Sequence, residues 1–145
     1  MGMTLSIDGR EAVIGKLEEV IKATGSPKEA LEETGDFLIK EFESNFISEG
    51  GVLGNRWKQL KETTRREKAR LGYGSMPILV RTGELMKGFA KEVSTFSVRV
   101  LNPTKYFKYH QLGEGYNPQR VMITKTETIV GEIYEIFLRY IQSKL

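Results

Sequence analysis

Ser26-Pro27 and Gly50-Gly51 bracket the stretch that most constrains how this chain folds. Ser26 is placed to cap a helix, Pro27 sits in the first turn where a missing N–H costs nothing, and Glu29 completes a capping box. Leu31, Leu38, Phe42 and Phe46 then recur at helical spacing, with Phe37 and Ile39 widening the apolar stripe. Glu32, Glu33, Asp36, Glu41 and Glu43 mark the wet side. The glycine pair stops the helix, which leaves a long amphipathic rod that needs a partner along one face. Gly35 lies inside it and weakens it by roughly 1 kcal/mol relative to Ala. A glycine there permits the close approach of another backbone.

The flanking segments supply that partner. Thr4–Ile7 alternates weakly, as a short strand or extended arm, and Asp8 with Glu11 forms a second capping box. Val13, Leu17, Val20 and Ile21 give a first helix that Gly25 ends. Beyond Gly50, residues 50–55 read as a mobile Gly-rich loop. A short basic helix starts at Thr64, boxed by Glu67, and a second loop covers residues 71–77. These two loops are expected to be the least rigid part of the fold.

Thr82 caps a brief helical turn that runs to Lys87. Residues 91–100 alternate around Ser94-Thr95 as a β-hairpin, which Asn102-Pro103 ends. Tyr106–Gly113 is open between a helical turn and a loop, and Gln119–Ile123 reads as a further strand. Thr124 and Glu127 box the last helix, with Ile129, Val130, Ile133, Phe137, Tyr140 and Ile141 on its apolar face. The sum is an α+β fold, in which two N-terminal helices and one C-terminal helix pack on a small antiparallel sheet with long flexible loops.

The chain has 145 residues and reads as a single domain over 1–145. It has no cysteine, which excludes disulfides and thiolate chemistry, and His110 is its one histidine. No apolar run approaches the roughly 20 residues that span a bilayer. Met1-Gly2 with Ser6 formally fits a myristoylation pattern, better read as a chance match. A soluble cytoplasmic protein is expected. The net charge of +3 conceals an asymmetry. Residues 1–49 hold 5 Lys/Arg against 11 Asp/Glu, and residues 50–70 hold 7 against 2. Opposed charges of this kind steer one copy onto another or onto a charged partner, or simply solvate two helix faces.

Enzyme chemistry finds no footing. A Gly-x-Ser-x-Gly elbow is missing, and His110 would have to be the only base. Gly113-Glu114-Gly115 lacks the Gly-Lys-Ser/Thr ending of a phosphate loop. Glu67, Glu84 and Glu114 have no metal-ligand spacing, so no metal or cofactor is expected. Arg56, Lys58, Lys61, Arg65, Arg66, Lys68 and Arg70 form a basic stripe near Trp57 and Tyr73, a composition that suits nucleic acid. No helix-turn-helix or zinc-finger pattern accompanies it, and Trp57 with Leu60 reads equally as an apolar anchor. A small basic nucleic-acid-binding module of a mobile element is the alternative reading, and a toxin-like or regulatory domain a third.

Three motifs remain. Gly54, Trp57 and Leu60 lead into a Thr/Lys/Arg-rich stretch from Thr64 to Lys68; Leu79, Thr82, Gly83 and Leu85 follow; then Tyr106, His110, Gln111 and Gly113, with Pro118 and Arg120. In this order the chain resembles the phage virion morphogenesis, or tail completion, family over roughly residues 54–123. Leu112 departs from the aromatic common in the family, as do Val121-Met122 from a Pro-Phe type of pair. The resemblance implies a non-enzymatic structural protein of a phage or prophage that acts at tail completion or head–tail joining. It further implies a ring of six copies that contacts other tail or connector proteins, in the host cytoplasm during assembly and then at the virion neck or tail. Trp57, Leu60, Arg65, Arg66, Lys68, Leu79, Thr82, Gly83, Leu85, Tyr106, His110, Gln111, Gly113 and Arg120 are its expected interface or structural residues. Trp57 with Leu60 is expected to order the loop after the long helix. His110 is expected to bond a neighbouring loop, and Arg120 a carboxylate or backbone carbonyl across the sheet or at a subunit boundary. Neutralising Arg65, Arg66 and Lys68 is expected to weaken self-association in low salt.

Overall fold

Helical periodicity and turn chemistry place seven elements along the chain in a computed structural model that describes residues 11–144. They are α1 (Glu11–Thr24), α2 (Lys28–Ile47), α3 (Glu62–Arg70), β1 (Ala90–Val93), β2 (Val98–Leu101), α4 (Phe107–Leu112) and α5 (Glu127–Lys144). The two strands form one antiparallel hairpin, closed where Ser94 N–H donates to Ser97 O at 2.8 Å. The fold is α+β, as expected. The expected strand at Thr4–Ile7 and the Asp8 cap lie outside the described residues.

The chain divides into two compact units. One comprises the residues up to Ile39, Lys91–Leu101 and the residues from Lys125 on; the other comprises Lys40–Ala90 and Asn102–Thr124. In the first, α1 packs on α5. Leu31 and Leu38 of α2, Val100 of β2, and Ile129, Ile133, Ile136, Phe137, Tyr140 and Ile141 of α5 are buried. Val130, placed on that apolar face by periodicity, is half-buried, and Ile136 takes the inner position instead.

Gly35 explains how the hairpin approaches α2. A Cβ there would lie 2.9 Å from Lys91 Cδ and 3.1 Å from Val98 Cγ2. The close neighbours are strand side chains rather than a second backbone. Lys91 Nζ then reaches Glu32 and Asp36 of α2, each at 2.7 Å, and the two carboxylates hold its ammonium above the ordinary lysine range. Glu33 pairs with Arg139 and Glu29 with Lys144, both on α5. Glu32, Glu33 and Asp36 thus lie on the solvent side of α2, as expected, and each also pairs with a cation of its own unit.

Helix starts differ from expectation in detail. The Ser26 hydroxyl donates to Thr95 O rather than capping α2. The first turn is closed instead by Leu31 N–H on Pro27 O at 3.1 Å. Helix α3 begins at Glu62, not Thr64, after Lys61, which makes no side-chain cap. The last helix is capped by Thr126, whose hydroxyl accepts from Ile129 N at 3.1 Å, and not by Thr124.

Candidate interaction cleft

The second unit is built round aromatic rings that helical spacing on α2 supplies only in part. Phe42 and Phe46 meet Phe89, with centroids 5.6 and 6.1 Å away, and Phe89 meets Phe107 edge-on at 6.0 Å. Trp57 stands edge-on to Phe46 at 5.2 Å and is almost fully buried. Its indole N–H donates to Val121 O at 2.9 Å. Trp57 thus anchors the segment after α2 on the core, as expected.

Residues 119–123 form no strand, contrary to expectation, because side chains take the bonds a neighbouring strand would have made. Gln111 is the main one. Its Oε1 accepts from Met122 N (2.7 Å) and Ile123 N (3.1 Å), and its Nε2 donates to Ile123 O (2.8 Å). Asn45 donates to Val121 O and accepts from Leu53 N, both at 3.2 Å. Arg120 N–H closes on His110 O at 2.8 Å. Every one of these groups is buried or half-buried, where an unpaired backbone group costs about 1–3 kcal/mol.

Both loops expected to be least rigid are tied down. In the first, Val52 N donates to Ser48 Oγ at 2.9 Å, and Trp57 N donates to Glu49 O at 2.8 Å. Gly50 has φ +92°, and a Cβ there would lie 2.1 Å from Asn55 O, so only glycine fits this turn. In the second, Lys68 Nζ donates to Met76 O at 2.8 Å and to Pro77 O. Lys68 is buried and is not part of an exposed basic stripe. Burial pushes its ammonium below the ordinary lysine range, against the opposing pull of Glu49. Arg65 is exposed, while Arg66 pairs with Glu62 and Arg70 with Glu67 along α3.

Glu49 (φ +51°) and Leu79 (φ +63°) are the described non-glycine residues with left-handed backbone. Such a conformation costs of order 1–3 kcal/mol and persists only where neighbours impose it. Here the Glu49 carboxylate accepts from Ile78 N at 2.8 Å, next to Leu79.

Thr82 Oγ1 accepts from Glu84 N at 3.3 Å, and Lys87 N donates to Gly83 O at 2.9 Å. The expected helical turn is present as this single closed turn, with Gly83 at φ +87°. Residues 107–112 are helical, and Gly113, at φ +70°, ends α4 in the left-handed region.

These placements bring the three motifs together. Leu60, Leu79, Thr82, Gly83, Leu85, Tyr106, His110 and Arg120 all line one cleft of about 740 Å³, together with Lys58, Lys61, Lys68 and Arg81. Trp57, Gln111 and Gly113 stand behind it as supports, and Arg65 and Arg66 are not part of it. Tyr106 and His110 share the face that their spacing implied.

The electrostatics of the cleft are cationic, with Glu84 the one carboxylate on its wall. Arg120 Nε and Nη2 donate to Lys58 O at 3.1 and 2.8 Å, so its partner is a carbonyl, one of the two expected, but of a loop and not of a sheet. Burial lowers the pKa of Arg120 and of His110, and for His110 the Arg120 charge adds to the effect. His110 Nδ1 is buried without a hydrogen-bond partner. The expected side-chain bond to a neighbouring loop is made by the His110 carbonyl instead.

Asn45, Glu49 and the structural role of Lys68 escaped the sequence reading. An asparagine between Phe42 and Phe46 on the buried stripe was the available signal for the first. Among the described residues no group of His, Asp and Glu could hold a metal ion, and no helix is long and apolar enough to cross a membrane.

Comparison with family models finds that the phage virion morphogenesis family matches residues 8–140. No curated protein and no solved structure gives a significant match.

Proposed function

The chain belongs to the phage virion morphogenesis family, and we propose that it is a non-enzymatic assembly protein of tail completion or head–tail joining. In this reading it acts as an oligomeric ring and contacts other tail or connector proteins at the virion neck or tail. The family supplies a role in building the virion. The observation that carries the finer reading is the convergence of three distant motifs on one cleft, supported from behind by Trp57 and Gln111. Their special residues are committed to shaping a surface, which is what an assembly joint requires. A ring joins copies through a heterologous contact, in which one patch meets a different patch of the next copy.

Deleting the gene from its phage and imaging the lysate tests this reading. Heads and tails are expected to accumulate unjoined or with unfinished ends, and a plasmid copy restores infectious particles. Intact particles of normal titre from the deletion would overturn it. Light scattering with negative-stain imaging of the purified protein, alone and mixed with its neighbouring virion proteins, checks for rings of uniform diameter.

A further inference from the structure

The cleft is concave and cationic, and Tyr106 and Tyr116 on its lining are exposed. Lys58, Lys61 and Arg81 line it, and no described carboxylate is paired with any of the three. Tyr116, on the Gly113–Asn117 turn at its edge, is fully exposed, and Tyr106 is 60 % exposed. Leu60 and Leu85, which also line it, are half-buried. Exposed tyrosines beside unpaired cations are the composition of a protein contact, where an aromatic supplies area and a charge sets register.

We propose that this cleft receives an extended acidic segment of another virion protein. Its carboxylates pair with Lys58, Lys61 and Arg81, and an apolar side chain seats among Leu60, Leu85, Tyr106 and Tyr116. The inference rests on the assembly reading above and names the partner chemistry of that site. Two observations favour a peptide over nucleic acid. Leu60, Leu79 and Leu85 stand beside the cations and suit an apolar peptide side chain; and the α3 arginines that would extend a basic stripe for duplex phosphates lie outside the cleft or are paired with glutamates of α3. A foreign segment is favoured over the start of α2 from a second copy because Glu29, Glu32, Glu33 and Asp36 are each paired within their own unit.

The test uses the full chain and a fluorescein-labelled peptide, Asp-Glu-Leu-Asp-Glu-Phe-Asp-Glu, read by anisotropy. Lys61→Glu with Arg81→Glu is expected to weaken binding by about tenfold or more, since reversed charges repel where native ones attract. Tyr116→Ala, at a position too exposed to affect folding, is expected to weaken it several-fold. Arg65→Glu with Arg66→Glu leaves it unchanged. Equal loss in both double variants, or no loss in the cleft variants, overturns the proposal. Tighter binding of duplex DNA than of peptide assigns the basic residues to nucleic acid. Loss of self-association in the Lys61/Arg81 variant, with peptide affinity intact, assigns the cleft to a second copy. Each of these outcomes is independent of the gene-deletion phenotype, so failure of the cleft and failure of the assembly reading are separable.

Discussion

Gln111 uses one side-chain amide to hold the backbone of two consecutive residues, and both amide atoms are engaged. Replacing it with Ala leaves two buried N–H groups and one carbonyl unpaired, a loss on the order of 3 kcal/mol or more. Gln111→Ala is therefore expected to shift the urea midpoint sharply, with residues 119–123 losing amide protection first. Trp57→Phe keeps the ring against Phe46 but removes the donor to Val121 O; the expected cost is about 1–2 kcal/mol, read from the same curve. His110 yields a pH prediction. Its folded pKa lies below the ordinary value, chiefly through burial, so the unfolded chain takes up the proton first as pH falls. The stability contribution is complete above the unfolded pKa of about 6.5 and is lost as pH drops from there through the folded value. His110→Gln is expected to flatten thermal stability against pH in that window. An unchanged slope would place the effect elsewhere.

At the scale of elements, glycines separate packing from propensity. Gly131 lies inside α5 with open space where a Cβ would go. Gly131→Ala is expected to raise stability by about 0.5–1 kcal/mol. Gly35→Ala has the same helical gain but drives a methyl against Lys91 Cβ at 3.2 Å and Val98 Cγ2 at 3.1 Å. Neither atom is the free end of a flexible side chain, so the clash offsets the gain and the melting temperature is expected to fall. These two helices also show what periodicity makes legible. The stripe Leu31, Leu38, Phe42 and Phe46, the hairpin and the C-terminal apolar face all follow from repeat spacing, because burial on one face of a regular element imposes a period. The strand expected at residues 119–123 fails for the complementary reason. Its backbone is satisfied by Gln111, Asn45 and Trp57, whose bonds span 11 to 76 positions in sequence and carry no period. Helix α3 starts two residues before the expected Thr64 and without a side-chain cap, and at α5 the cap moves from Thr124 to Thr126, because neighbouring threonines offer the same capping chemistry and the sequence does not rank them.

At the scale of the molecule, the opposed charges of the first 49 residues and the basic middle suggested copies held together by long-range attraction. The folded chain leaves less charge for that purpose. Four acidic residues of α2 are paired inside their own unit, and Lys68, Arg66 and Arg70 of the basic segment have partners within theirs. Lys68 also changes the meaning of a charge-neutralising experiment. Removing it frees two carbonyls of the loop before Ile78, so a combined Arg65, Arg66 and Lys68 variant would mix an interface effect with a folding defect. The two belong in separate proteins. Lys68→Met is expected to lower the melting temperature, because the Met76 and Pro77 carbonyls lose their charged donor, a bond class contributing about 1.5–3 kcal/mol. Arg65→Ser with Arg66→Ser is expected to leave the unfolding free energy within about 0.5 kcal/mol, the range for exposed ion pairs and surface changes. With folding controlled in this way, the mass of any ring can be followed from about 50 to about 500 mM salt, over which the screening length falls severalfold. A mass that holds across that range is the expected result, since four acids of α2 and three cations of the basic segment already have partners within the chain. A steep loss of mass that the α3 double variant reproduces at low salt would instead return the contact to charge.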